Sequence, residues 1–179
     1  MEEMDTDATR SQKAVEQTTD EKSLVGMQTE LKVRKTVGRQ LDDLIRGACR
    51  CVQVLEGSSM EENQIRNLVN VAATSESLEE VTNFIRYQMG RDGPKRTWRH
   101  TGSQKKSFGE LVIEDIEKGT VQKALKAVLT GVPEADKIRV RSELIALYLG
   151  YMNRSFTYAK KARDWKQLCS TLDQKQEEK

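Results

Sequence analysis

The sequence predicts an all-α fold, a single compact bundle of five to six helices. Apolar residues recur at spacings of three and four from residue 37 to about residue 168, which is the period of a helix with one buried face. The S-x-x-E pattern that begins helices marks three predicted helix starts. No segment shows the sustained alternation of a strand, and the chain has only two prolines.

The first helix is predicted from about residue 37 to residue 56, and Gly57 is well placed to end it. Its apolar face consists of Val37, Leu41, Leu44, Ile45, Ala48, Val52 and Leu55. Residues 1–36 carry scattered charge and only isolated apolar residues, so we expect a flexible N-terminal tail there.

Three capping boxes predict the next three helix starts. In each box the Ser hydroxyl can accept from the amide three residues later, while the Glu carboxylate reaches back to the Ser amide. The pairs are Ser59 with Glu62, Ser77 with Glu80, and Ser107 with Glu110. They predict helices at about 60–73, 78–90 and 108–118, the last continuing past a weak point at Gly119 to about Leu129.

A long final helix is predicted from Pro133, which suits the first turn of a helix, to about residue 168. Residues 169–179 are expected to form a flexible C-terminal tail. The predicted organisation is therefore one helical domain over residues 37–168, with a basic loop at 92–107 and a tail at each end.

Composition limits the class of protein. Only 36% of residues are hydrophobic, 32% are charged and the mean hydropathy is −0.70. No apolar run approaches the length of a spanning helix, and the acidic N-terminus does not resemble a signal peptide, so we expect a cytoplasmic protein. The three cysteines suggest neither a disulfide framework nor a zinc site.

Residues for catalysis are scarce, and the sequence predicts no enzyme, no catalytic residue, no metal site and no cofactor. The one histidine, His100, lies in the basic loop without an evident carboxylate partner. The stretch GRDGPKR (90–96) follows a helix and lacks the G-K-[ST] ending of a phosphate loop. Glu114, Asp115 and Glu117 form an acidic cluster that is expected to solvate a helix face.

Positive charge is concentrated in one region. The net charge of the chain is only +2, but residues 86–106 contain seven Lys or Arg residues and a single acid, Asp92. Trp98, in the same region, is expected either to stack on an exposed base or to anchor the loop to the bundle. A basic surface of this kind indicates affinity for a polyanion, while a solvated surface loop is the plainer reading.

Three segments also resemble a known family. ENQIRNLVNVA (62–72), FIRYQMGR (84–91) and ELIALYLGYMNRSFTYAKK (143–161) are similar, in that order and at compatible spacing, to the small-subunit family of type III-A CRISPR effector complexes, the Csm type. The resemblance covers most of the chain from Ser59 to about Ala162. The tail before Val37 does not match, and the loop from Asp92 to Ser107 is longer and more basic than the usual connection in the family.

The resemblance implies a function. Small subunits of this family are helical bundles that stack in several copies inside a ribonucleoprotein interference complex, an antiviral defence. They line the duplex of guide RNA and target RNA, beside a large polymerase-like subunit and the repeating backbone subunits, and do no chemistry themselves.

A subunit that accepts any guide must contact phosphates and sugars instead of base edges. The expected RNA-binding residues are Arg66, Arg86, Arg91, Lys95, Arg96, Arg99, Lys105, Lys106 and Arg154. Of these, the five from Lys95 to Lys106 are expected to form a mobile arm that folds on the duplex.

The last helix carries more aromatic side chains than one buried face uses, so Tyr151 and Tyr158 are expected at a contact with another subunit. Tyr148, Met152 and Phe156 are at least as well explained as core residues. Two other functions stay open: a stand-alone helical adaptor that binds a protein through this helix and, as a distant third, a small nuclease that uses His100.

Overall fold

Six α-helices follow one another in a computed structural model of the chain, which describes the backbone of residues 5–168 and the side chains of residues 24–168. They are α1 (Asp5–Gln53), α2 (Glu62–Thr74), α3 (Leu78–Gly90), α4 (Phe108–Glu117), α5 (Thr120–Leu129) and α6 (Glu134–Ala162). No strand occurs between residues 5 and 168. The predicted all-α bundle of five to six helices is confirmed, whereas the predicted C-terminal tail, 169–179, lies outside the described residues.

The first helix begins much earlier than the sequence predicted, at Asp5 and not near residue 37. Val33 and Val37 pack against the core, so the inner face of α1 begins before the apolar period becomes regular. Further toward the N-terminus, α1 exposes four apolar side chains by 51–62%: Leu24, Val25, Met27 and Leu31. The weak apolar period in this part of α1 explains why the helix start was missed.

The core lies around α6, which packs against both α1 and α2, while α5 packs against α1, α4 and α6. Leu44 and Val52 of α1, and Leu55 in the turn that follows it, are fully buried, as the helical period predicted. The stripe of α6 is buried from Val140 to Ala159, but Ile138, which follows the same period, is 49% exposed. Tyr148, Met152 and Phe156 are core residues, which decides between the two roles left open for them.

The helix starts confirm one predicted capping box and correct two. Ser107 and Glu110 form the box at α4, with the Ser107 amide donating to Glu110 Oε2 at 2.8 Å. Helix α2 is capped instead by Glu61, whose amide donates to Gln64 Oε1 at 3.0 Å. At α3, Ser77 is the N-cap residue, but the Glu80 carboxylate accepts from the Ser75 hydroxyl at 2.6 Å.

The last helix ends earlier than predicted, at Ala162 and not near residue 168. Arg163 adopts the left-handed conformation with φ 55°, which terminates α6. The chain then turns back so that Trp165 lies 6.0 Å from the ring of Phe156. Within residues 5–168, no helix combines the length and the apolarity that crossing a membrane requires.

Candidate nucleic-acid interface

A shallow groove of about 590 Å³ lies between α2 and the C-terminal half of α6. It is lined by Glu62, Arg66, Asn153, Arg154, Thr157, Tyr158, Lys161 and Ala162. The helical period explains this lining, because α2 buries Ile65 and Leu68 and α6 buries Met152 and Phe156, which turns the residues beside them toward the groove. We call this surface the α2/α6 groove.

The α2/α6 groove is electropositive. It contains three cationic side chains, Arg66, Arg154 and Lys161, and one carboxylate, Glu62. None of the three cations forms an ion pair with any carboxylate that the structure describes. Two of the predicted RNA-binding residues, Arg66 and Arg154, are thus brought together although they are far apart in sequence.

Neighbouring groups hold the groove in shape. The Arg154 guanidinium lies 5.2 Å from the centre of the Tyr151 ring, which orients it by a cation–π contact. Lys160 points the other way: its Nζ donates to the Met60 carbonyl at 2.9 Å and lies over Phe156. The Oδ1 atom of Asn153 is buried and has no hydrogen-bond partner among the described residues, so one acceptor in the groove lining is unused.

The exposed face of α2 leads from this groove to a second polar surface. Asn63, Arg66, Asn67 and Asn70 share that face, three or four residues apart, and all are exposed. On its far side, about 350 Å³ of space is lined by Gln64, Asn67, Gln88, Arg91, Asp92 and Trp98; we call it the Arg91 pocket. Arg91 lies 5.5 Å above the Tyr87 ring and has no ion pair within the described part of the chain.

The basic loop is held in place by its single acid. Asp92 Oδ1 accepts hydrogen bonds from the Thr97 amide at 2.9 Å and the Thr97 hydroxyl at 2.8 Å. Asp92 Oδ2 accepts from the Arg99 amide at 2.9 Å, and the Arg99 guanidinium donates to the Asp92 carbonyl at 2.8 Å. The carboxylate therefore organises the loop and neutralises part of its charge.

Trp98 anchors the same loop. Its side chain is 98% buried, with the rings of Phe84 and Phe108 at 6.5 Å and 5.6 Å from its own. The Trp98 carbonyl accepts from the Gly109 amide at the start of α4. These contacts decide for the anchoring role and against base stacking, and they correct the prediction that the loop is a mobile arm.

Several cations predicted to bind RNA are already paired within the protein. Arg86 lies 2.6 Å from Glu117, and Lys106 lies 2.6 Å from Glu114. Arg99 is bound to the Asp92 carbonyl, as described above. Lys95, Arg96 and Lys105 are exposed on the loop, and Arg96 has a positive φ of 45°.

The two residues predicted at a subunit contact differ in exposure. Tyr151 is half-buried beneath Arg154, whereas Tyr158 is 52% exposed at the α2/α6 groove. Tyr87, which the sequence analysis did not select, is 59% exposed next to Arg91. Two exposed tyrosines therefore lie on either side of α2, each beside an arginine that has no ion pair within the described part of the chain.

His100 has no carboxylate partner in the described structure. Its Nε2 atom lies 3.2 Å from the Glu56 carbonyl oxygen, which ties the loop to the turn that follows α1. No group of three or more His, Cys, Asp or Glu residues within the described part of the chain could hold a metal ion.

The acidic cluster has structural roles that sequence reasoning missed. Glu114 and Glu117 pair with Lys106 and Arg86, and Asp115 accepts from the Tyr148 hydroxyl at 2.8 Å. The expectation that these acids only solvate a helix face is therefore wrong. Sequence spacing gives no signal for these pairs, because their partners lie on other segments.

Cys51 belongs to the Asp115 cluster, with its Sγ 3.5 Å from the Tyr148 hydroxyl oxygen. Burial, and then the nearby Asp115 carboxylate, raise the pKa of the Cys51 thiol from 9.0 to about 12. Burial likewise raises the pKa of Tyr148 well above its ordinary 10.0. A thiol kept protonated in this way is a poor nucleophile, so the cluster fits a structural role.

Comparison with protein-family models, with curated proteins and with solved structures finds no match to this chain.

Proposed function

We propose that this chain is a non-catalytic small subunit of a type III CRISPR ribonucleoprotein interference complex. It binds the backbone of the guide RNA and target RNA duplex without sequence specificity and stacks in several copies along it. Its other partners are the large polymerase-like subunit and the repeating backbone subunits, and it works in the cytoplasm. The three segments that resemble the Csm-type family support this assignment.

One structural observation supports RNA binding in particular: Arg66, Arg154 and Lys161 converge on one groove and have no ion pairs among the described residues. Unpaired cations on two rigid helices can each neutralise a phosphate without first breaking a contact inside the protein. Arginine suits this role because its planar donors bind two phosphate oxygens at once. The groove contains no deep slot for a base, which fits binding without sequence readout.

The test is RNA binding measured by fluorescence anisotropy over a salt series, with a labelled guide and target duplex. The test variant is Arg66→Ala with Arg154→Ala. The control is Arg86→Ala with Arg139→Ala, which makes the same change in charge but removes arginines that pair with Glu117 and Glu143.

We expect the test variant to bind at least about tenfold more weakly than wild type, since each phosphate contact is a charge-assisted hydrogen bond. Its slope of log affinity against log salt should be shallower by about two, roughly one per lost contact. The control should change both quantities far less. If both variants follow the wild-type curve, the groove is not the RNA site.

A protein-binding adaptor is the second candidate, and one observation favours it. Helix α1 exposes Leu24, Met27 and Leu31 along one face, where apolar area is available to a protein partner. An adaptor of this kind predicts no RNA affinity at physiological salt. The same anisotropy experiment therefore separates the two candidates before any variant is made.

A further inference from the structure

Trp98, one of the residues that line the Arg91 pocket, carries a buried donor without an acceptor among the described residues. Trp98 is 98% buried, and its Nε1 has no hydrogen-bond partner among the described residues. An indole N–H can only donate, so no rotation of the ring turns it into an acceptor. Leaving such a group unpaired costs stability, which makes a missing acceptor the natural explanation.

Two of the acceptor groups that line the pocket are already used, and the other two, the side-chain oxygens of Asn67 and Gln88, do not accept from the Trp98 N–H. The Gln64 side-chain oxygen accepts from the Glu61 amide at 3.0 Å. Both carboxylate oxygens of Asp92 accept from Thr97 and Arg99, within the loop. The negative charge of Asp92 is thereby offset by three donors.

Donors remain available around the same space. The Arg91 guanidinium is held above the Tyr87 ring and has no ion pair in the part of the chain that the structure describes. The side-chain amides of Asn67 and Gln88 also form no hydrogen bond with described residues. One positive charge and several N–H groups therefore surround a space of about 350 Å³, which is ample for a tetrahedral oxyanion.

We infer that this pocket binds a phosphate group, with Arg91 supplying the positive charge and the Trp98 indole donating to one phosphate oxygen. Asn67 and Gln88 donate to the remaining oxygens. The inference goes beyond the proposed function, because it concerns a phosphate group from any source and does not depend on the α2/α6 groove. The source is either a free phosphate monoester or a phosphate diester of an RNA strand.

The indole N–H of Trp98 provides a direct probe by nuclear magnetic resonance. The chain has two tryptophans, so a Trp165→Phe protein leaves Trp98 as the single indole signal. This protein is titrated with inorganic phosphate, with chloride at equal ionic strength as reference, and separately with a short RNA that lacks terminal phosphates. The proposal predicts a saturable shift of the indole signal with phosphate, with the RNA, or with both, and none with chloride.

Three variants assign the shift to the pocket. Arg91→Gln should weaken the titration at least about tenfold, because it removes the charged donor. Asn67→Ala should weaken it less and serves as a second, independent test on α2. Arg86→Gln, on the helix that Arg91 caps but paired with Glu117 outside the pocket, should leave the titration unchanged.

The two titrants identify the source of the phosphate. A shift with inorganic phosphate identifies a monoester-type site, and a shift with RNA alone identifies a diester of the strand. A Trp98 signal that moves with neither, or moves equally in the Arg91→Gln protein, overturns the proposal. The RNA affinity of the Arg66→Ala, Arg154→Ala variant is measured separately. A negative result for the Arg91 pocket therefore does not decide whether the α2/α6 groove binds RNA.

Discussion

The α2/α6 groove and the loop at 92–107 carry positive charge in different ways. In the loop region, Lys106 and Arg86 pair with Glu114 and Glu117, and the Arg99 guanidinium donates to the Asp92 backbone carbonyl. Lys95, Arg96 and Lys105 are exposed along the loop, without an ion pair among the described residues. The groove has only three cations, and none of them is paired among the described residues. A count of Lys and Arg along a sequence therefore does not locate a polyanion site, because carboxylates and carbonyl groups that the fold brings close decide which of these charges are available.

The largest expected effect on stability comes from removing the Trp98 side chain, which anchors the loop. Trp98→Ala should lower the free energy of unfolding by about 3–5 kcal/mol, the usual cost of truncating a large buried aromatic side chain. Urea denaturation followed by circular dichroism measures it. The matched control is Trp165→Ala, at a half-buried position, which should cost clearly less. Equal losses for the two variants would mean that Trp98 does not anchor the loop.

The next effect loosens the loop without touching the core. Asp92→Ala removes the acceptor for three donors and should destabilise the protein by about 1–3 kcal/mol, because the Thr97 and Arg99 groups lose their partner. Trypsin should then cleave faster after Lys95, Arg96 and Arg99. Glu76→Ala, an exposed acid in another loop, is the control and should leave cleavage unchanged. An unchanged rate in Asp92→Ala would show that this carboxylate does not organise the loop.

A smaller effect tests whether the ion pairs with Glu114 and Glu117 keep Lys106 and Arg86 from binding RNA. Glu114→Gln with Glu117→Gln releases Lys106 and Arg86 while keeping side-chain size. Since each exposed pair is worth only about 0.5 kcal/mol, RNA affinity at low salt should rise by about two- to fivefold. Asp136→Gln with Glu143→Gln, which releases Arg139 at the far end of α6, controls for the change in net charge. If both double variants gain equally, only net charge matters.

The smallest effect is on the pH dependence of stability, through Glu110 in the first turn of α4. Hydrogen bonds from the Ser107 hydroxyl and amide lower the pKa of Glu110 below its ordinary 4.5. A lowered pKa in the folded state adds stability above pH 4.5, and this stability is lost as the pH falls through the folded value. Because Glu110 is exposed, we expect about 0.5 kcal/mol or less. Wild type and Glu110→Gln should differ in urea midpoint at pH 7 and have nearly the same midpoint at pH 3. An equal difference at both pH values would contradict the capping role.

Much of the fold could be predicted from local sequence. Four of the helices, α2, α3, α4 and α6, begin within two residues of the predicted positions, because Ser, Glu, Gln and Pro at helix starts act on the chain close by. The early start of α1 could not be predicted, since residues 5–23 contain few apolar residues and no sustained helical period. The apolar pattern also predicted the end of α6 too late in the chain, because it does not show that Arg163 adopts the left-handed conformation and ends the helix at Ala162.

The candidate site could be predicted only in part. Arg66 and Arg154 were selected from the sequence, but nothing local shows that α2 and α6 bring them to one groove or that Lys161 joins them. The burial of Trp98 depends on Phe84 and Phe108, on two other elements of the fold. The ion pairs of Arg86 and Lys106 could likewise be found only from the three-dimensional structure, because Glu117 and Glu114 lie 31 and 8 residues away in the sequence.

The most direct test of the account is to ask which of the two regions touches RNA. A photo-crosslinking benzoylphenylalanine at Tyr158 in the groove is compared with the same group at Lys105 in the loop and at Lys126 on α5, each with a labelled guide and target duplex. The account predicts strong cross-links from Tyr158, few from Lys105 and none from Lys126. Cross-links from Lys105 or Lys126 in the absence of any from Tyr158 would contradict it.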